Sequence, residues 1–345
     1  MRTNLAIRIL SVVGLLAAST AWTIQTQAQS DEEASFYKGK SVTLVIGFDV
    51  GGGYDTVARL LAPVLTMHLP GNPTVVPVNR PGAGSMVAAL NIYRIAPRDG
   101  THIATVGRSV PLQPLLVPEK ADFDARELSW IGSVGRDTLL CVSWHTSPIQ
   151  SLNDLLTKPF SVGGSGTGSD TTVQAQALRH LLGAKVKLVG PYRGTNDINL
   201  AMERGEVDGY CGFSWSTLKS QNADWLRDKK VNVLLQLALE KHPDLPDVPI
   251  IGDLLNVRQR SVFQLLVGTQ NVARPFFAPP NLPPVRKQTL RNAFNAAVAD
   301  PQFRNEAKRL SMEVELLRGE EIDRIMRDLY STPKDLVAQA ASLMK

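Results

Sequence analysis

The chain has 345 residues, 43% of them hydrophobic and 20% charged, with a formal net charge of +5. That balance excludes a disordered or fibrous chain and sets the size at one large or two modest domains. The positive charges form no cluster, so nucleic acid is not an expected partner, and an anionic small ligand is weakly favoured.

Arg2 and Arg8 precede an apolar run, Ile9 to Ala18, and Thr26-Gln27-Ala28 offers small residues for cleavage. Residues 1–28 hold no acidic side chain. This is the layout of a secretory signal peptide, with an apolar core too short to span a bilayer. No cysteine follows the run, so no lipid anchor is expected, and no later stretch is long and apolar enough to cross a membrane. Without Arg2 and Arg8 the mature part carries +3 (5 − 2). Export in soluble form is expected.

Val42–Ile46 is a short apolar, β-branched run and predicts a buried strand. Gly51, Gly52 and Gly53 break it, and apolar residues at Val57, Leu60, Leu61, Val64 and Leu65 then mark one helix face. Strand, glycine loop and helix make a place where backbone can approach a ligand and a helix start can meet an anion. Asp55 is the expected N-cap. Val75–Val78 predicts a strand, residues 80–85 a loop, Met86–Ile95 a helix and His102–Val106 a strand ending at Gly107-Arg108-Ser109. Alternation of this kind implies a parallel sheet with ligand loops at the carboxyl ends of its strands.

The next stretch repeats the pattern. Leu139–Trp144, Phe160–Gly163, Lys185–Val189, Gly209–Phe213 and Val231–Ala238 predict strands. Ser151–Leu156, Thr171–Leu182 and Asp197–Arg204 predict helices, and loops 164–169 and 191–195 carry glycines and hydroxyls. Val262–Gly268 reads as a further strand. Val285–Val298, Pro301–Leu310, Glu320–Tyr330 and Pro333–Met344 predict helices.

The glycine loops do not carry nucleotide chemistry. Gly163-Gly164-Ser165-Gly166-Thr167-Gly168-Ser169 lacks G-x-G-x-x-G spacing, the next strand holds Lys185 and Lys187 where an acid is needed, and neither loop contains G-K-[ST]. The histidines, His68, His102, His145, His180 and His242, are scattered without metal-ligand spacing, and none is placed as a base for Ser165. The reading is therefore no catalytic residue, no metal and no cofactor. Ser165, Thr167, Ser169 and Thr195 can donate to a polar ligand or cap their helices, and Arg108 and Arg193 can hold a carboxylate or stand in solvent. Cys141 and Cys211 lie in apolar runs and allow either a disulfide, in an oxidising compartment, or two buried thiols.

Several motifs occur in an order that resembles one family. Gly52-Gly53-Tyr54-Asp55 follows the first strand, Asn79-Arg80-Pro81-Gly82-Ala83-Gly84 comes next, and Pro97-Arg98-Asp99-Gly100 forms a turn. Gly166–Ser169, Pro191-Tyr192-Arg193-Gly194 and Gly205-Glu206-Val207-Asp208 complete the series. This resembles the periplasmic receptors of tripartite tricarboxylate transporters, the Bug or tricarboxylate-receptor family. The resemblance spans nearly all of the mature chain. It implies an α/β, type II periplasmic-binding-protein fold of two lobes joined by two crossing strands, near Thr138–Trp144 and Ser261–Thr269. The lobes would be residues 29–137 with 263–345, and 138–262.

The function implied is a monomeric periplasmic receptor that captures a small carboxylate ligand and delivers it to integral membrane transporter subunits. A ligand sensor for a signalling partner and a periplasmic α/β enzyme are the other readings. The candidate ligand residues are Phe48, Asp49, Gly51, Gly52, Gly53, Ser85, Arg108 and Ser109 in one lobe. In the other they are Ser165, Gly166, Thr167, Gly168, Ser169, Tyr192, Arg193, Gly194 and Thr195. Gly52 and Gly53 are expected to face the 165–169 loop across a cleft lacking strong fixed charge, and the lobes to close on ligand. Two positions depart from the family pattern: Asp49-Val50-Gly51 replaces prolines, and Thr172 stands where a histidine is common. An inward Asp49 would repel a polyanion and leave room for an amino acid or an aromatic monocarboxylate.

Overall fold

In the computed structural model, the residues described are 31–135 and 137–344, so the expected signal peptide lies outside them. In chain order the strands are β1 (Ser41–Ile46), β2 (Thr74–Asn79), β3 (His102–Thr105), β4 (Ser129–Val134), β5 (Leu139–Trp144) and β6 (Phe160–Gly163). They continue with β7 (Val186–Val189), β8 (Gly209–Ser214), β9 (Val231–Gln236), β10 (Pro275–Ala278) and β11 (Leu316–Arg318). They form two sheets, β11-β4-β10-β3-β1-β2 and β7-β6-β8-β5-β9.

Each sheet is built on a parallel trio. β1 pairs in parallel with β2 and β3, and β6 with β7 and β8. Helices cover these strands, which is why β1 and β6 read as nearly unbroken apolar runs. The remaining strands run antiparallel to their neighbours: β10 and β4 beside β3, then β11, and β5 and β9 beside β8. One apolar core lies between the first sheet and the helices Gly53–His68 and Pro284–Ala299, another on β5 and β8 of the second. A third runs through both halves.

The chain passes from the first sheet to the second between Val134 and Leu139, and returns between Gln236 and Pro275. The return does not contain the strand expected over Val262–Gly268. That segment belongs to the helix Val257–Leu266, so the second crossing strand placed at Ser261–Thr269 is corrected. Asn256 and Gln259 form a capping box ahead of it, and Val262, Phe263, Leu265 and Leu266 are its buried face. A short apolar run read without its polar first turn looks like a strand.

The Asp55 cap is also corrected. The first helix begins at Gly53 with Gly52 as N-cap, so Asp55 is third in the helix. From there its carboxylate reaches back to accept the Gly51 N–H at 2.9 Å and receives Arg59 Nε and Asn79 Nδ2. Those donors hold its pKa below the ordinary carboxylate value against the opposing effect of burial. Asp55 thus anchors the glycine loop from inside the helix.

Cys141 and Cys211 stand opposite one another on β5 and β8, fully buried, and are joined as a disulfide with Cα atoms 3.9 Å apart. The two sequence alternatives resolve to the bond, and the burial that suggested free thiols holds as well. Alkylation of the denatured, unreduced protein is expected to label no thiol, and alkylation after reduction to label both. Two thiols labelled before reduction would exclude the bond.

Candidate functional site

The loops at the carboxyl ends of the parallel strands meet around a cavity of about 90 Å³. Three helices of nine or more residues begin on its wall: Gly53–His68, Asp170–Leu181 and Thr195–Glu203. A helix start carries unpaired N–H groups and the positive end of the dipole, so three of them aimed at one space favour an anion there. The first loop can come close because Gly52 and Gly53 have no side chains. A Cβ on Gly53 would lie 2.6 Å from Thr217 Oγ1, and one on Gly52 3.3 Å from Thr195 Oγ1.

The expected residues separate into wall and support. Phe48, Asp49, Gly52, Gly53 and Arg108 line the cavity from one half, and Ser165, Ser169, Gly194 and Thr195 from the other. The remainder lie off the wall. Gly51, at φ +86°, sits at the rim next to Asn196. Ser85 is fully buried and ties two loops together, donating to Gly47 O at 3.0 Å and accepting from Gly107 N–H. Ser109 is turned onto the Asp170 carboxylate, to which its hydroxyl donates. Tyr192 packs on the second sheet's core, and Arg193 is exposed and pairs with Asp49 at 3.1 Å. Gly166 and Gly168 face Ala83 and Gly84 of the other half rather than Gly52 and Gly53, and Thr167 between them is not on the wall. The Gly168 N–H donates to Ala83 O at 3.3 Å.

The hydroxyls of Ser165 and Ser169 bond within their own lobe, to Thr171 and Thr172 of the helix that the loop opens. Ser169 caps its helix and contacts Thr171 and Thr172, and Ser165 contacts Thr171 at 3.1 Å. Thr172 is thus a partner of the Ser169 cap. No histidine or cysteine lines the cavity among the described residues.

The expectation of a cleft without strong fixed charge is corrected. Arg108 and Arg274 are both on the wall and almost wholly buried. Arg108 pairs with Asp137 at 3.2 Å and with Asp170 at 3.3 Å. Arg274 lies 3.7 Å from Asp137 and donates to Ser216 Oγ at 2.9 Å. Burial pushes the Asp137 carboxyl up, but Arg108, Arg274 and the Ser214 and Ser216 donors outweigh it and hold it below the ordinary value. Asp170 goes the other way, raised by burial that Arg108 and Ser109 only partly offset. Burial lowers the Arg274 pKa and raises that of Tyr54, whose hydroxyl accepts the Arg108 N–H at 3.0 Å.

Of these groups only Arg108 was a sequence candidate. Asp170 follows a capping serine and reads as an ordinary first-turn acid. Asp137 and Arg274 lie in the two passages between sheets, where nothing local announces burial. Tyr54, Leu139, Phe213 and Thr217, also on the wall, read as core or helix surface.

The halves touch all round the cavity. Besides Asp49–Arg193, Asn196 donates to Val50 O at 3.3 Å and Gln221 to Thr56 Oγ1 at 2.7 Å. Lys219 bridges Asp244 and Glu313, so an ammonium already sits in the His242–Asp244–Glu313 cluster. This is a closed arrangement.

Comparison with known proteins gives a consistent result. The family model described as tripartite tricarboxylate transporter family receptor matches residues 57–341. A UPF0065 protein of Cupriavidus necator is 24% identical over 336 residues, covering 94% of each chain. The structure of the periplasmic binding protein BugD is similar with a TM-score of 0.71 at 22% identity, covering 88% of this chain and 98% of its own. MatC from Rhodopseudomonas palustris, with bound malate, has a TM-score of 0.69 at 21% identity, covering 87% and 99%. These likenesses establish the two-lobed periplasmic-binding fold.

Proposed function

The chain belongs to the tripartite tricarboxylate transporter receptor family, and on that premise we propose that it captures a small carboxylate-bearing ligand in the interlobe cavity and delivers it to integral membrane transporter subunits. The family is one of periplasmic solute receptors, not enzymes. The observation that carries the ligand class is the convergence of three helix starts on one enclosed space, with Gly52 and Gly53 baring backbone at its wall. The malate held by MatC supports the same class. A cavity of about 90 Å³ is small against the roughly 300–1,000 Å³ of drug-sized sites. The ligand is therefore a small one.

Hinge closure is the means of capture. One lobe carries the sheet β11-β4-β10-β3-β1-β2 and the other the sheet β7-β6-β8-β5-β9, and the contacts across the cavity belong to the closed form. A ligand held by both halves shifts the balance toward closure by its differential affinity. Native mass spectrometry of freshly purified protein is expected to show a monomer carrying the added mass of one small acid. Scattering is expected to show a smaller radius of gyration with that acid than after its removal. A constant radius at saturating ligand would exclude capture by closure, and absence of any bound or bindable carboxylate would exclude the ligand class.

A further inference from the structure

The cavity wall neutralises its own cations, and one residue does so across the lobe boundary. Arg108 and Ser109 follow β3 in one lobe, whereas Asp170 opens a helix in the other. The Asp170 carboxylate nevertheless receives the Ser109 hydroxyl and pairs with Arg108 Nε at 3.3 Å. A guanidinium beside a hydroxyl is a good seat for a ligand carboxylate, and here a carboxylate of the chain fills it. Arg274 is directed at Asp137, Ser216 and Thr217 in the same way. Among the residues lining the space, the cations are Arg108 and Arg274 and the acids Asp49, Asp170 and Asp197, an excess of one negative charge.

We propose that Asp170 is a specificity-determining residue that takes the seat of a second ligand carboxylate. The site then accepts ligands with one carboxylate whose far end is neutral or cationic, in preference to di- and tricarboxylates. One carboxylate can still use the free N–H groups of the glycine loop and helix starts. A second would enter a poorly hydrated wall whose arginines are already paired, where like charge is strongly disfavoured. The far end of the ligand would instead meet Phe48 and Tyr54, whose tilted rings have centroids 4.8 Å apart, and Phe213. Aromatic faces suit an apolar chain or an ammonium group. This inference rests on the receptor reading above.

The test uses sets matched in length: succinate, butyrate and 4-aminobutyrate, then adipate, hexanoate and 6-aminohexanoate. Calorimetry on the wild-type protein is expected to rank the diacid weakest in each set, by about tenfold or more. Asp170→Asn, which keeps shape and removes charge, is expected to shift the diacid-to-monoacid ratio about tenfold or more toward the diacid. Circular dichroism and urea unfolding establish that the variant is folded, and the wild-type ranking stands as a test without it. A wild type that prefers the diacids leaves the receptor reading intact and overturns the role of Asp170. A monoacid preference unchanged in Asp170→Asn also overturns that role. Binding of no member of either set removes the carboxylate reading itself.

Discussion

Gly168→Val is expected to weaken ligand binding on the order of 100-fold while leaving both lobes folded, because it obstructs closure rather than the wall of the site. A Cβ on Gly168 would lie 2.8 Å from Met86 Cγ, 2.9 Å from Gly84 O and 3.1 Å from Ala83 O, all in the opposite lobe. Two of these are backbone atoms and cannot rotate away, and the Gly168 N–H to Ala83 O bond would be stretched with them. Overpacking of a tight contact costs about 1–3 kcal/mol, and the two methyls of valine go beyond a bare Cβ. The lobes escape this cost by remaining apart, so it appears as a smaller closed population and a weaker apparent affinity. Gly168 has no positive φ, so the open form carries no backbone penalty. Gly53→Val is the milder change, since its nearest neighbour is the rotatable Thr217 hydroxyl. Calorimetry and scattering with the best acid from the matched sets measure the effect. Wild-type affinity with wild-type compaction in Gly168→Val would show that this seam does not close on ligand.

The same seam shows what sequence makes legible and what it does not. The β1 run, the Gly51–Gly53 break and the apolar stripe of the following helix are local signals, and each appears in the structure within a few residues of its expected place. Local signals also placed the loops around one cavity, because parallel strands must end together. Which residue faces which is a different matter. That Gly168 meets Gly84, or that Asp170 meets Arg108, depends on how one lobe sits on the other, and no periodicity encodes that. Burial of the Asp137 and Arg274 side chains arises for the same reason: each lies at a passage between sheets, and long-range topology encloses it. The antiparallel strands of the first sheet were hard to read too. Pro275–Ala278, followed directly by Pro279 and Pro280, offers no strand signal in the sequence, yet it pairs with β3 and β4 near the centre of the first sheet. Its proline is the first residue of the strand, a position where the missing donor is tolerated.

Arg108→Met is expected to destabilise the protein by about 3–5 kcal/mol near neutral pH, the usual cost of stranding a buried charge. Methionine replaces much of the apolar stem, so the loss is chiefly one of charge. Arg108 stands between Asp137 at 3.2 Å and Asp170 at 3.3 Å, and without it two buried carboxylates share one space. Asp137 would keep the Ser214 and Ser216 donors but only Arg274, at 3.7 Å, as a cation, and Asp170 would keep the Ser109 hydroxyl. Acid should narrow the gap between variant and wild type, since protonation removes the stranded charge. The wild-type signs follow from the shifts. Asp137 is depressed, so it stabilises the fold above the unfolded carboxylate value, and that contribution is lost as pH falls through its lower folded value. Asp170 is raised, so its contribution is present below the unfolded value and is lost as pH rises through its higher folded value. Removing Arg108 takes a counter-charge from both, raising both further and making neutral pH the costly condition. Urea unfolding at about pH 7 and about pH 4, on either side of most carboxyl titration in the variant, reads the difference. The double variant Arg108→Met with Asp170→Asn should recover part of the loss, because the charge left unpaired is gone. A single variant as stable as wild type at neutral pH, or a double variant no more stable than the single, would mean that Arg108 does not hold these two carboxylates together.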